Sequence, residues 1–101
     1  MVYLHVTLKI HQGKVEKFCE ILSHLVPLLE KRGWKLVGAY QNVIGRLNTI
    51  VDLWQLPDAN AVESVLAVAA QEPEFQKWAA ELVGCVEEEV LQIMTKVPYS
   101  P

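Results

Sequence analysis

The first ten residues alternate strictly between apolar side chains and side chains of mixed character. The apolar set comprises Val2, Leu4, Val6, Leu8 and Ile10. Successive side chains of an extended chain point to opposite faces, so this period of two predicts a β-strand with one face toward a core. From Lys14 to about Lys31 the apolar residues instead recur at three- and four-residue spacing, which predicts an amphipathic helix. The chain is thereby restricted to folds that pack helices against a sheet.

Two antiparallel strands are predicted after this helix. Residues 34–44 and 47–56 are rich in Val, Leu, Ile and aromatic side chains. The Gly45-Arg46 pair between them is short enough for a hairpin turn. Pro27 lies inside the preceding helix and is expected to bend or interrupt its last turns, because proline removes one backbone hydrogen bond.

The remainder of the chain predicts a second helical region and a last strand. Asp58 or Asn60 is suited to cap a helix that is interrupted at residues 71–74 and resumes until Gly84. Residues 86–97 then predict a strand, followed by an extended tail. The order βαββαβ predicts one α+β domain over residues 1–101, a ferredoxin-like sandwich. Its four-stranded antiparallel sheet carries two helices on one face.

Composition excludes several classes of function. The formal net charge is -3 and the nine Lys and Arg residues are scattered, so nucleic acid is not an expected partner. No apolar run approaches the roughly 20 residues of a membrane span, and the first residues lack the pattern of a signal peptide, so a cytoplasmic location is expected. Cys19 and Cys85 lack metal-ligand spacing and are expected to be reduced, buried thiols.

The helix-free face of the sheet predicts a homodimer. If Leu4, Val6 and Leu8 face the helices, Tyr3, His5 and Thr7 face away from them. The other strands are expected to add to this face Leu36, Tyr40, Ile50, Asp52, Trp54, Val90, Gln92 and Met94. A face with so many apolar side chains is not expected to stay exposed to solvent. Two sheets packed face to face would bury it and could leave a polar-lined hollow between them.

Candidate site residues come from the same prediction. His5 and Asp52 are expected to point into the hollow together, where a histidine held by a carboxylate can act as a general base. A structural pair at the dimer interface is the alternative, and no catalytic residue is assigned. Tyr40 and Trp54 predict either an aromatic wall for a flat ligand or interface packing. The full candidate set for ligand binding is Tyr3, His5, Tyr40, Asp52, Trp54, Gln92 and Met94.

No metal or cofactor is expected. The acidic run Glu87-Glu88-Glu89 can be a cation site or a solvated strand end, and the second interpretation is preferred because no partner ligands have metal spacing. His11 and His24 likewise lack a second ligand at the spacing of a metal site.

The segment from Gly45 to Trp54 resembles the hairpin signature of the NIPSNAP family, written G-x-L-N-x-V-x-H-L-W. The opening around Gly13 and the stretch from Glu72 to Phe75 also fit that family. The resemblance implies the dimeric α/β-barrel fold that antibiotic-biosynthesis monooxygenases and haem-degrading monooxygenases share. Asp52 stands where the family pattern has His.

Three functional hypotheses follow from these residues and this resemblance. The first is a protein that binds a small apolar or aromatic molecule, either between the sheet and the helices or in the dimer hollow. The second is a cofactor-independent monooxygenase or isomerase of the antibiotic-biosynthesis type. The third is a non-catalytic protein-interaction module. A haem-degrading activity is disfavoured because residues 58–84, where such relatives carry a histidine, contain none.

Overall fold

The sheet contains four antiparallel strands in the order β2-β3-β1-β4, and the three helices lie against one of its faces. This computed structural model describes all residues 1–101. The elements are β1 Val2–Ile10, α1 Val15–Glu30, β2 Lys35–Gln41, β3 Thr49–Leu56, α2 Ala61–Ala69, α3 Pro73–Leu82 and β4 Val86–Met94. The predicted ferredoxin-like α+β fold is confirmed.

The second helical region forms two separate helices. Helix α2 ends at Ala69, and α3 begins at Pro73, where a proline is tolerated because the first helical N–H has no partner within the helix. The Asp58 carboxylate accepts a hydrogen bond of 3.1 Å from the backbone N–H of Ala61 and so satisfies one donor at the start of α2.

Two predicted boundaries differ from the structure. Helix α1 continues through Pro27 to Glu30, so the proline does not interrupt it. The hairpin loop is longer than the predicted pair and spans residues 42–48. The Asn42 side chain donates a hydrogen bond of 2.9 Å to the carbonyl of Arg46, and Asn48 adopts a positive φ of 59°. This wide loop leaves Val43 and Ile44 unpaired and almost fully exposed.

The hydrophobic core fills the space between the sheet and α1. Trp34, just after α1, packs edge-on against Trp54 with the ring centres 5.3 Å apart. Its indole N–H donates a hydrogen bond of 2.9 Å to the carbonyl of Ala61, which fixes the start of α2 above the sheet. Cys85 belongs to this core, whereas Cys19 is exposed on α1, so only one of the two thiols is buried as predicted.

An ion-pair cluster joins the end of α1 to the junction between α2 and α3. Lys31 contacts the Glu72 carboxylate at 3.0 Å, and Arg32 donates to the same carboxylate. The hydrogen bond from Arg32, followed by that from Lys31, lowers the pKa of Glu72. The three helices are therefore held together at this end by charge as well as by packing.

Strand β4 lies at an open edge of the sheet, and every residue from Glu87 to Met94 is exposed. It ends at Met94 rather than at residue 97. Its acidic run lies at the first half of the strand, where Glu87 faces the Lys9 ammonium at 3.6 Å. No helix has the length and apolar character that a membrane crossing requires. The cytoplasmic location stays a prediction.

Candidate functional site

The pairing of β1 with β3 decides which side chains share a face. Leu4 lies opposite Trp54, and Val6 lies opposite Asp52. All four side chains are buried. Residues opposite one another on paired strands point to the same side of a sheet. Asp52 and Trp54 therefore point toward the helices.

The predicted pairing of His5 with Asp52 is wrong. His5 lies opposite Leu53 on β3 and opposite Gln92 on β4, so it points away from the helices. A difference of one position reverses the face of a strand residue, because side chains alternate with period two. The sheet itself separates the imidazole from the carboxylate, and no general-base pair forms between them.

Leu36 and Ile50 were also predicted on the helix-free face, and they too lie on the helix side. Ile50 is buried opposite Leu8, and Leu36 lies opposite Trp54. Ile50, Trp54 and Leu56 are buried on this side of β3, whereas the residues that alternate with them are only partly buried.

Five candidates do lie on the helix-free side, which we call the outer face. Tyr3 is opposite Met94, and His5 is opposite Gln92, so these four form one patch across β1 and β4. Tyr40 lies on β2 at the far edge, opposite Val51. The Nδ1 atom of His5 is buried within the chain and has no hydrogen-bond partner. The Lys96 ammonium lies 5.7 Å from the centre of the Tyr3 ring.

The candidates on the helix side line a cavity of about 160 Å³ between the sheet and the helices, which we call the helix–sheet cavity. Trp34 and Trp54 form part of its wall. Phe18 from α1 and Phe75 from α3 add further aromatic surface. Thirteen of its fifteen lining residues are hydrophobic, and the two others are Asp52 and Glu89. The cavity is therefore an apolar space with carboxylates as its only charged groups.

Asp52 is the chemically distinctive group of the helix–sheet cavity. Only 6% of the residue is exposed, and its carboxylate accepts no hydrogen bond and forms no ion pair within the chain. The pKa of Asp52 is raised from 3.8 to about 6. Burial is the larger cause, and the negative charge of Glu89 is the smaller one. The group can therefore exchange a proton near neutral pH.

Glu89 is a site residue that the sequence interpretation missed. It lies opposite Leu8 on β1, so it points to the helix side of β4, in line with Leu91 and Ile93. The run of three glutamates concealed this alternation, since neighbouring acidic residues give no period. Leu91 and Ile93 further along β4 are apolar at alternate positions. Extending this alternation back by two residues assigns Glu89 to the same side as Leu91.

The residues of the chain do not form a metal centre. No three His, Cys, Asp or Glu side chains are grouped so that they could hold a metal ion. His24 on α1 instead stacks on the Trp78 ring of α3, with the ring centres 3.9 Å apart and the planes 3° from parallel.

Comparison with known proteins gives matches over the full length of the chain. The NIPSNAP family model matches residues 3–101. An uncharacterized NIPSNAP domain protein from Burkholderia xenovorans is 22% identical with a TM-score of 0.85, covering 100% of this chain and 99% of the other. A NIPSNAP family protein with unknown function from Agrobacterium tumefaciens is 20% identical with a TM-score of 0.89, covering 100% and 92%.

A more distant structure extends the fold likeness beyond that family. A putative antibiotic biosynthesis monooxygenase from Nitrosomonas europaea is 12% identical with a TM-score of 0.72, covering 96% of this chain and 99% of the other. At this identity the likeness concerns the fold alone. No curated protein matches the chain with significant similarity.

Proposed function

Because the chain belongs to the NIPSNAP family, whose fold is compatible with more than one chemistry, we propose a function from the site itself. The protein binds a small apolar or aromatic molecule in the helix–sheet cavity. The observation that carries this proposal is the Asp52 carboxylate, which has no partner within the chain and lies in a space whose other lining residues, apart from Glu89, are hydrophobic. A buried carboxylate without a partner is costly to a fold, so its presence beside a cavity is a mark of function.

The volume of the cavity limits the size of the ligand. An apolar cavity of about 150 Å³ in another protein holds one benzene molecule, and the helix–sheet cavity measures about 160 Å³. A single aromatic ring with a short polar substituent therefore fits. The apolar wall stabilises the ring, and the carboxylate selects a substituent that donates a hydrogen bond.

Benzylamine is a suitable probe, because it combines one ring with one donor. We expect it to quench or shift the fluorescence of Trp34 and Trp54, which line the cavity. Leu66→Phe places a larger side chain in the cavity and should abolish binding. The control is Val68→Phe, the same type of enlargement at an exposed position of α2. Equal benzylamine affinity in the two variants would contradict the proposed site.

A second candidate function is proton transfer, favoured by the pKa of Asp52. A carboxyl group with a pKa of about 6 in an apolar site is an effective general base near neutral pH. Asp52 would remove a proton from a carbon next to a carbonyl and return it at another position, as in an isomerase. Phenylacetone in heavy water tests this function. Hydrogen exchange at its acidic carbons, followed by NMR, should be accelerated by the protein and lost in Asp52→Asn.

We also propose that two copies of the chain pack through their outer faces. Val51, Leu53, Val90 and Met94 give this face its apolar character, and the buried Nδ1 of His5 lacks a partner within one chain. A second sheet would cover the apolar side chains and supply a polar neighbour for the imidazole. Tyr3, His5, Tyr40, Gln92 and Met94 would then line the interface or a hollow within it. Light scattering at micromolar concentration tests this proposal, and a monomeric mass would contradict it.

A further inference from the structure

A second hollow lies on the opposite side of α1, between this helix and β2. It measures about 380 Å³ and is mostly apolar. Cys19, Ser23 and Val26 contribute its wall on α1, and Leu36 and Ala39 contribute its wall on β2. We call this hollow the α1–β2 groove.

The α1–β2 groove and the helix–sheet cavity share three lining residues, Phe18, Leu22 and Asp52. Phe18 and Leu22 are four residues apart on α1 and so lie on the same side of the helix, above the sheet. Asp52 lies beneath them on β3. Asp52 therefore borders both hollows, and Phe18 and Leu22 lie on the boundary between them.

No basic side chain lines either hollow. Only 6% of Asp52 is exposed. No group of the chain donates a hydrogen bond to its carboxylate, and no cationic side chain pairs with it. Glu89 adds a second negative charge at the cavity. An ionised carboxylate among apolar side chains is stabilised by a cation, and a ligand can supply one.

We infer that the ligand is an elongated amine with an apolar group on each side of its nitrogen. One group occupies the helix–sheet cavity, the ammonium contacts Asp52, and the other group extends under α1 into the α1–β2 groove. This inference rests on the proposed function and specifies the ligand class of the same site. It assigns Ala39 and Ser23, which the cavity itself does not include, to ligand binding.

Two probes separate binding in the helix–sheet cavity from binding that extends into the α1–β2 groove. Benzylamine fills only the cavity, whereas N-benzylhexylamine also carries a chain long enough for the groove. Calorimetric titration of the full chain at pH 8 should give at least tenfold tighter binding of N-benzylhexylamine, since burial of about two methylene groups suffices for that factor. Benzyl hexyl ether has the same shape without the charge. It should bind at least tenfold more weakly than the amine.

Ala39→Phe fills the groove from β2 and should remove the advantage of N-benzylhexylamine over benzylamine. Ser23→Phe fills it from α1 and should act alike, so the test does not depend on one variant. Ala80→Phe, at an exposed position of α3, is the matched control.

Equal binding of the two amines would overturn the inference, as would an advantage that persists in both groove variants. Equal binding of the amine and the ether would overturn the assignment of a cation to Asp52. Failure of both amines to bind would instead overturn the proposed function of the cavity.

Discussion

Asp52 and Glu89 are the two carboxylates of the helix–sheet cavity, and the charge of Glu89 adds to burial in raising the pKa of Asp52. They come from β3 and β4, on either side of β1, and no basic side chain lies between them in the lining of the cavity. The protonation state of Asp52 therefore affects both the stability of the fold and the charge within the cavity.

The first prediction concerns the pH dependence of stability. The folded chain retains a proton on Asp52 between pH 3.8 and about 6, whereas the unfolded chain loses it. The free energy of unfolding should therefore fall as pH rises through this range and stay lower above it, by about 3 kcal/mol at most. Asp52→Asn should remove this slope and be about 1 to 3 kcal/mol more stable at pH 8.

Urea denaturation between pH 4 and 8 measures this effect. Glu74→Gln removes a carboxylate from an exposed position of α3 and should retain the slope of the original chain. A destabilised Asp52→Asn variant at pH 8 would show that the carboxylate has a favourable partner.

The second prediction concerns the pH dependence of ligand binding. An ammonium group binds the ionised form of Asp52, and ionisation is lost below a pH of about 6. The Kd of benzylamine should rise by about tenfold for each pH unit below that value and level off above it. Fluorescence titrations from pH 4.5 to 8 measure the curve. A Kd independent of pH over that range would exclude Asp52 as the partner of the amine.

The third prediction separates the effect of Glu89 from that of burial. Glu89→Gln removes one neighbouring negative charge, so the pKa of Asp52 should fall and the midpoint of the benzylamine curve should move to lower pH. Glu88→Gln is the matched control, because Glu88 lies opposite Lys9 on the outer face. A larger displacement in the control would mean that the faces of β4 are assigned incorrectly.

The fourth prediction concerns the proposed dimer. Leu53 lies opposite His5 near the middle of the outer face, so Leu53→Arg would bury an unpaired charge at the interface and should increase the dissociation constant of the dimer at least a hundredfold. Ser64→Arg adds the same charge at an exposed position of α2. Light scattering over a dilution series should show dissociation of the first variant only.

The order of strands and helices could be predicted because each element carries its own period. The face of β3 could not, since both of its alternating sets are partly apolar. Thr49, Val51, Leu53 and Gln55 form one set, and Ile50, Asp52, Trp54 and Leu56 form the other. The second set contains the larger side chains and belongs to the core. A single aspartate within it made that set resemble an outward face, although this aspartate is buried.

The site itself depends on contacts that a linear pattern does not contain. The helix–sheet cavity joins residues from all three helices and three strands, and its volume results from how their side chains pack. The resemblance of the hairpin to the NIPSNAP signature identified the family, but it did not indicate which way Asp52 points. Only the register of β1 with β3 provides that information.

The open edge at β4 has a consequence for the behaviour of the chain at high concentration. Unpaired backbone groups along an edge can hydrogen-bond to the edge of another molecule, and sheets can extend into fibres in this way. Three consecutive glutamates occupy the first half of β4, and charged side chains oppose such growth. The acidic run thus protects the solubility of a strand whose second half, with Leu91, Ile93 and Met94, would otherwise favour aggregation.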